Sequence, residues 1–191
     1  MITRTILLNH LVRKYGLKCY LELGVQDRTV NFDLINCEHK VGVDIAFIPG
    51  IKYQMTTDEY FADHFETFDL IFIDASHYAD QVEKDYLNSV QRLRPGGFIV
   101  LHDCNPIKEI HAIVPRGTVS GHWNGDVYKF ACQLRDITTV DIDNGCGVIG
   151  FGHTEIVKEC KPKDWADFDT NRKFYLNLVS WETFTNFAVP S

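Results

Sequence analysis

Residues 68–77, Phe68-Asp69-Leu70-Ile71-Phe72-Ile73-Asp74-Ala75-Ser76-His77, and residues 97–103, Gly97-Phe98-Ile99-Val100-Leu101-His102-Asp103, are two apolar runs that each end in acid and histidine. Between them Val82, Tyr86, Val90 and Leu93 recur at helical spacing, which predicts an amphipathic helix from about Ala79 to Leu93, stopped by Pro95-Gly96-Gly97. The unit reads as strand, helix, strand. Such crossovers are right-handed and make the two strands parallel, usually as neighbours, so their C-terminal ends lie side by side. Asp74, His77, His102 and Asp103 are therefore expected to converge at one rim, where open α/β sheets bind their ligands. One acid past a strand can simply cap the next helix, but four ionisable residues at two adjoining strand ends point to a site. Neither motif carries a Lys or Arg, so the repulsion between Asp74 and Asp103 calls for a cation.

Outward from this unit the chain keeps the same grammar. Thr5 to Tyr15 has helical spacing and ends at Gly16, and strands are expected at Lys18 to Gly24, His39 to Asp44 and within Ile51 to Met55. A further amphipathic helix carries Val127, Phe130, Ala131 and Leu134. The segments Ile137 to Ile142 and Cys146 to Phe151 flank Asp143-Asn144-Gly145, a strong hairpin signal that adds an antiparallel strand. Strands alternating with helices predict an α/β fold with a doubly wound, mostly parallel sheet. With 191 residues and 45% hydrophobic content, one domain is expected over 1–191, its core at about 17–152 and an aromatic-rich helical extension at 153–191, packed on the domain or on a second copy in a homodimer.

Composition narrows the partners. A formal net charge of -7 disfavours nucleic acid, and no apolar run approaches a membrane span or a signal peptide, so a cytoplasmic protein without a membrane partner is expected. Six cysteines without a Cys-x-x-Cys pair suit reduced, buried thiols. Asn105 to Gly125, with Pro106, Pro115, Gly117, Gly121, His111, His122 and Trp123, reads as a lid over an acceptor.

Gly24 and Asp44 end consecutive strands twenty residues apart, the separation at which an acid accepts hydrogen bonds from ribose hydroxyls. An adenosine-bearing cofactor follows. Positions 24, 26 and 29 hold Gly24, Gln26 and Thr29 rather than three glycines, which disfavours a pyrophosphate and hence NAD or FAD. S-adenosylmethionine has no phosphate and ends in an ammonium, compatible with the bulkier loop and with Glu22. Thr56-Thr57-Asp58 either meets the adenine amino group or caps a helix.

Tyr20-Leu-Glu-Leu-Gly-Val25, Val41-Gly-Val-Asp44, Met55-Thr-Thr-Asp-Glu-Tyr-Phe61, Phe72-Ile-Asp-Ala-Ser-His77, Arg94-Pro-Gly-Gly-Phe-Ile-Val-Leu-His-Asp103 and Trp123-Asn-Gly-Asp-Val-Tyr-Lys129 together resemble the small class I S-adenosylmethionine-dependent methyltransferases associated with glycan biosynthesis. They are also similar to the metal-dependent macrolide-sugar O-methyltransferases. The resemblance implies a Rossmann-like, seven-stranded sheet with one antiparallel strand near the C-terminus. It places the cofactor against Glu22, Gly24, Gln26, Asp44, Ile45, Thr57, Asp58 and Asp74, and a divalent cation, magnesium or manganese, on Asp74 and Asp103 with His102 as a weaker third ligand or second base. His77 is the implied base toward a hydroxyl of a sugar or glycan. His102 departs from the family, which has a carboxylate there. A phenolic acceptor and a non-catalytic binding module that keeps the fold are the alternatives.

Overall fold

The computed structural model describes residues 2–117, 122–153 and 155–186. Among the described residues, eight strands form one sheet in the order β3-β2-β1-β4-β5-β7-β6-β8. They are β1 (Cys19–Leu23), β2 (His39–Asp44), β3 (Tyr53–Gln54), β4 (Phe68–Ile73), β5 (Leu93–Leu101), β6 (Thr138–Val140), β7 (Cys146–Gly150) and β8 (Leu178–Val179). All neighbours are parallel except β7, which runs antiparallel to both β5 and β6. The sheet therefore has the expected single antiparallel strand but eight strands rather than seven. The extra one is a two-residue piece of the extension, paired with β6 along the edge.

Period-two alternation sorts the strand side chains onto two helical layers. Leu21, Leu23, Ile71, Ile73, Ile99 and Leu101 face α2 (Thr57–Asp63), α3 (Ala79–Val90), α4 (Val127–Ala131) and α5 (Trp165–Tyr175), meeting Tyr60, Val82, Tyr86, Phe130 and Phe168. Tyr20, Leu70, Phe72, Phe98 and Val100 face α1 (Arg4–Tyr15) and α6 (Trp181–Asn186), meeting Leu7, Leu8, Leu11 and Phe184. The sheet is doubly wound, with both faces dry. The aromatic extension thus packs on its own domain through Phe168 and Phe184, both buried.

Local rules account for most boundaries. Gly16, at φ 67, closes α1 in the left-handed conformation that glycine adopts without steric cost. Thr56 and Glu59 form a reciprocal capping box that starts α2. The turn between β6 and β7 places Asp143, Asn144 and Gly145 successively at positive φ, as the Asn-Gly pair predicts. The expected helix ending at Leu93 stops at Val90 instead, and Pro95-Gly96-Gly97 lies inside β5, where the register with β4 shifts between Phe68 and Leu70. Pro and Gly mark an irregular strand start there, not a helix end. Among the described residues, no helix is long and apolar enough to cross a membrane.

Candidate active site

Strands β4 and β5 pair through Ile73 and Leu101, and the His102 N–H donates to the Ile73 carbonyl at 3.1 Å, so the residues just beyond are forced together. In a regular strand His102 and Asp103 would point to opposite faces. Asp103 sits at φ 59, which breaks the strand and turns both side chains to one point. His102 Nδ1 lies 3.2 Å from Asp74 Oδ1 and 3.3 Å from Asp103 Oδ2. His77 Nδ1 is 3.4 Å from that same Asp103 oxygen, and its Nε2 is 3.9 Å from Asp74 Oδ1. The four residues converge as their sequence context predicts.

The two histidines differ in chemistry. His77 Nδ1 is 2.8 Å from the Trp123 carbonyl, which can only accept, so Nδ1 carries the proton and a neutral ring keeps its lone pair on Nε2. Trp123 also stacks on the ring, with centroids 4.9 Å apart and planes 4° from parallel. Helix α3 takes its cap from another residue: the Ala79 N–H donates to Asp126 Oδ1 at 2.7 Å, which leaves the His77 side chain free of that duty. His102 is 5% exposed. Burial pulls its pKa down, but Asp74 and Asp103 more than reverse this and hold it well above the ordinary histidine value. Both His102 nitrogens have neighbours: Nδ1 lies between Asp74 and Asp103, and Nε2 lies 3.3 Å from Arg4 Nη1, a group that only donates.

Three further residues complete the cluster, none foreseen from the sequence. Arg4, at the start of α1, approaches Asp74 with Nε at 4.0 Å and Asp143 with Nη1 at 3.4 Å, and its backbone N–H donates to Asp143 at 3.0 Å. The buried Asn124 donates to Asp103 Oδ1 at 2.9 Å and fixes that carboxylate. The sequence premise of uncompensated repulsion therefore needs correction, because Arg4 supplies a positive charge from a helix seventy residues away. Burial raises the pKa of Asp74, yet His102 and Arg4 bring it below the usual carboxylate range. Asp143 is likewise depressed, with His102 and Arg4 outweighing its burial.

The donor set fits a divalent cation. One atom each from Asp74, His102 and Asp103 lie within 4.8 Å of one another. Although two carboxylate oxygens are near, His102 Nδ1 is buried without a hydrogen bond of good geometry, an unmet polar atom aimed between two acids.

The cofactor residues occupy the adjoining crevice. A cavity of about 550 Å³ takes in Glu22, Gly24, Gln26, Asp44, Asp74, His77, His102 and Asp103. A second, of about 270 Å³, is lined by Gly24, Asp44, Ile45, Met55, Thr57, Asp58 and Gln81; the two share Gly24, Asp44 and Ala75 and so form one groove. A Cβ on Gly24 would come within 2.3 Å of the Asp74 carbonyl, so glycine is required where β1 leaves the sheet against β4. Asp44 accepts backbone N–H groups from Gln26 at 2.8 Å and Ala46 at 2.7 Å, one per oxygen, which orders the loop and leaves each oxygen a second lone pair. Thr57 lines the groove, but its hydroxyl donates to the buried Asp85 at 2.6 Å, whereas Gln81 donates to Asp58 at 3.1 Å and holds that carboxylate at the cavity wall. Glu22 is 2% exposed, and burial pushes its pKa up to about 7 against hydrogen bonds from Tyr20 and Asn31. Arg116, His122 and Trp123 of the expected lid also line the larger cavity, while Gly121 of that segment lies outside the described residues.

Residues 24–104 match the sequence profile of a family described as a methyltransferase domain. No curated protein sequence matches the chain. Among solved structures, the chain is similar to a protein from Staphylococcus aureus provisionally assigned as a caffeoyl-CoA O-methyltransferase, at 18% identity over 80% of this chain and 85% of that one, with a TM-score of 0.51. It is also similar to CalS10, an amino pentose methyltransferase of calicheamicin biosynthesis from Micromonospora echinaspora, solved with S-adenosylmethionine bound, at 13% identity over 76% of this chain and 88% of that one, with a TM-score of 0.52. The fold is that of the class I methyltransferases, and the matched segment runs from Gly24 at the end of β1 to Cys104 just beyond the acid and histidine cluster.

Proposed function

We propose that the chain is an S-adenosylmethionine-dependent O-methyltransferase acting on a hydroxyl of a sugar or glycan with the help of a divalent cation. The observation that carries this reading is the meeting of Asp74, His102, Asp103 and His77 at the mouth of a groove that continues to Asp44 and Asp58. Two solved neighbours are described as methyltransferases, CalS10 of an amino pentose, in line with the sugar reading, and the Staphylococcus aureus protein of caffeoyl-CoA, in line with the phenolic alternative.

Asp44 and Asp58 have the lone pairs to receive a ribose and an adenine amino group, with Ile45 and Met55 supplying apolar wall. Asp74 and Asp103, joined by Glu22 once it is ionised, give the other end of the groove the negative character that suits a sulfonium and an ammonium. Asp74, Asp103 and His102 would hold the cation, whose chemistry is to lower the pKa of a bound hydroxyl. One imidazole with two carboxylates suits manganese or iron better than magnesium. His77 Nε2 takes the proton from the acceptor hydroxyl, with Trp123 holding the ring and fixing which nitrogen is free. The hydroxyl oxygen forms the new bond to the methyl carbon as the carbon–sulfur bond breaks, and the proton stays on His77.

Metal-depleted protein tests the reading directly. Turnover on free sugars should fall on chelation and return with manganese more fully than with magnesium, while binding of S-adenosylhomocysteine, measured by calorimetry, persists. Full activity after exhaustive chelation would remove the cation from the reading, and absence of any S-adenosylhomocysteine binding would overturn it altogether.

A further inference from the structure

A third cavity, of about 600 Å³, lies beside the catalytic rim and outside the groove described above. Ala79, two residues past His77, is part of its wall, and so is Ile113, whose carbonyl accepts the Trp123 indole N–H at 2.8 Å. The same Trp123 ring stacks on His77. One layer of side chains therefore separates this cavity from the proposed base. Its size is within the range of about 300 to 1,000 Å³ typical of small-molecule sites.

Its lining is unlike the rest of the molecule. In a chain of net charge -7, three lysines, Lys129, Lys161 and Lys163, face one concavity. Lys129 pairs with Asp126 at 3.2 Å, whereas among the described residues neither Lys161 nor Lys163 has an ion-pair partner. Of the two acids in the lining, Asp164 is engaged as the cap of α5, where its Oδ1 accepts the Asp167 N–H at 2.9 Å; the other is Glu109. The same lining holds two aromatic rings edge to face at 6.0 Å, Tyr128, which is buried against Phe168, and Trp165, which is partly exposed. Lysines recognise phosphate as point charges, and aromatic faces take planar rings.

We propose that this cavity binds the part of the acceptor remote from the methylated hydroxyl, and that this part is a phosphate group joined to a planar ring, of which a nucleoside diphosphate is the plainest example. The proposal rests on the methyltransferase reading for its word acceptor. A sugar hydroxyl at His77 would then be carried by a group anchored past Trp123, and Lys161 and Lys163 would set which sugars are accepted.

The test is calorimetric titration of the full chain, saturated with S-adenosylhomocysteine, with uridine diphosphate and separately with inorganic pyrophosphate. Uridine diphosphate is expected to bind, more tightly than pyrophosphate, and to lose at least about tenfold in affinity in the double variant K161E/K163E. The charge-neutral K161Q/K163Q should lose less, and S-adenosylhomocysteine affinity should stay the same in both. No binding of uridine diphosphate by protein that binds S-adenosylhomocysteine overturns the cavity's assignment alone. So does unchanged affinity in K161E/K163E, while equal affinity for pyrophosphate overturns the ring. Failure of S-adenosylhomocysteine to bind overturns the functional reading beneath it.

Discussion

Strand β4 carries an aspartate near each end, and the two are partnered in opposite ways. Asp69 accepts the backbone N–H groups of Lys18 and Cys19 at 2.8 and 2.9 Å and a guanidinium N–H of Arg94 at 3.4 Å. Asp74 meets His102, His77 and Arg4, ionisable side chains in every case. Both carboxyls are held below their ordinary pKa, against burial, but Asp69 is lowered chiefly by backbone donors and Asp74 by other ionisable groups. A carboxylate tied to main chain fastens one element to another. One surrounded by exchangeable partners can trade them for a ligand, and this distinction, rather than burial or pKa, separates the structural end of the strand from the reactive one.

Three substitutions would break or sharpen that contrast. The largest effect is expected at the reactive end: His77→Ala should lower turnover by about 10² to 10⁴ with little change in S-adenosylhomocysteine affinity or thermal midpoint, since α3 is capped by Asp126 instead. A loss of stability with turnover intact would return His77 to a structural role. At the other end, Asp69→Asn removes a charged acceptor from two backbone donors and should cost about 1 to 3 kcal/mol in urea unfolding, with turnover per folded molecule unchanged. A fall in turnover there would erase the contrast.

The narrowest effect, confined to a window of pH, concerns Glu22, which lies between the two regimes, with its partners Tyr20 and Asn31 buried beside it. Its pKa in the folded protein, about 7, exceeds the ordinary 4.5, so the native state holds the extra proton between those values. Stability should then decline as pH rises from about 4.5 to 7, by up to about 3 kcal/mol, and Glu22→Gln should flatten that slope in chemical denaturation series. Binding of a cationic cofactor would favour the ionised form, releasing a proton near pH 7 that calorimetry in buffers of different ionisation enthalpy detects. An unchanged slope in the variant would show that the desolvation of Glu22 is already relieved.

What could be read in the sequence follows the range of the interactions. The convergence of Asp74, His77, His102 and Asp103 was legible because it needs only two strands, one crossover and the handedness of that crossover. The hairpin at Asn144-Gly145 was legible because positive φ selects those residues locally. Arg4 was not, since a helix docked on the far layer brings it to the rim and no spacing rule ties it to Asp74. Asp143 was visible only as a turn residue; its carboxylate matters because the turn between β6 and β7 folds over Arg4. The end of α3 was misplaced because Pro95 and Gly96 punctuate strands as readily as helices. Asn124 sat inside a quoted motif, yet its bond to Asp103 depends on a loop path that periodicity does not describe.

The short pairing of β8 with β6 has a consequence for how the chain is made. Strand β6 flanks the sheet on the side away from β7, and Leu178–Val179 is the segment that covers it. During synthesis the whole Rossmann-like core, including both aspartates of β4, emerges before that segment does. For the interval in which the chain between β7 and β8 is still being added, the sheet presents bare N–H and C=O groups along β6, the kind of edge that recruits strands from neighbouring chains. The aromatic extension is thus the protein's own edge guard, arriving after the core, and Phe168 and Phe184 on opposite faces of the sheet are the weights that hold it closed.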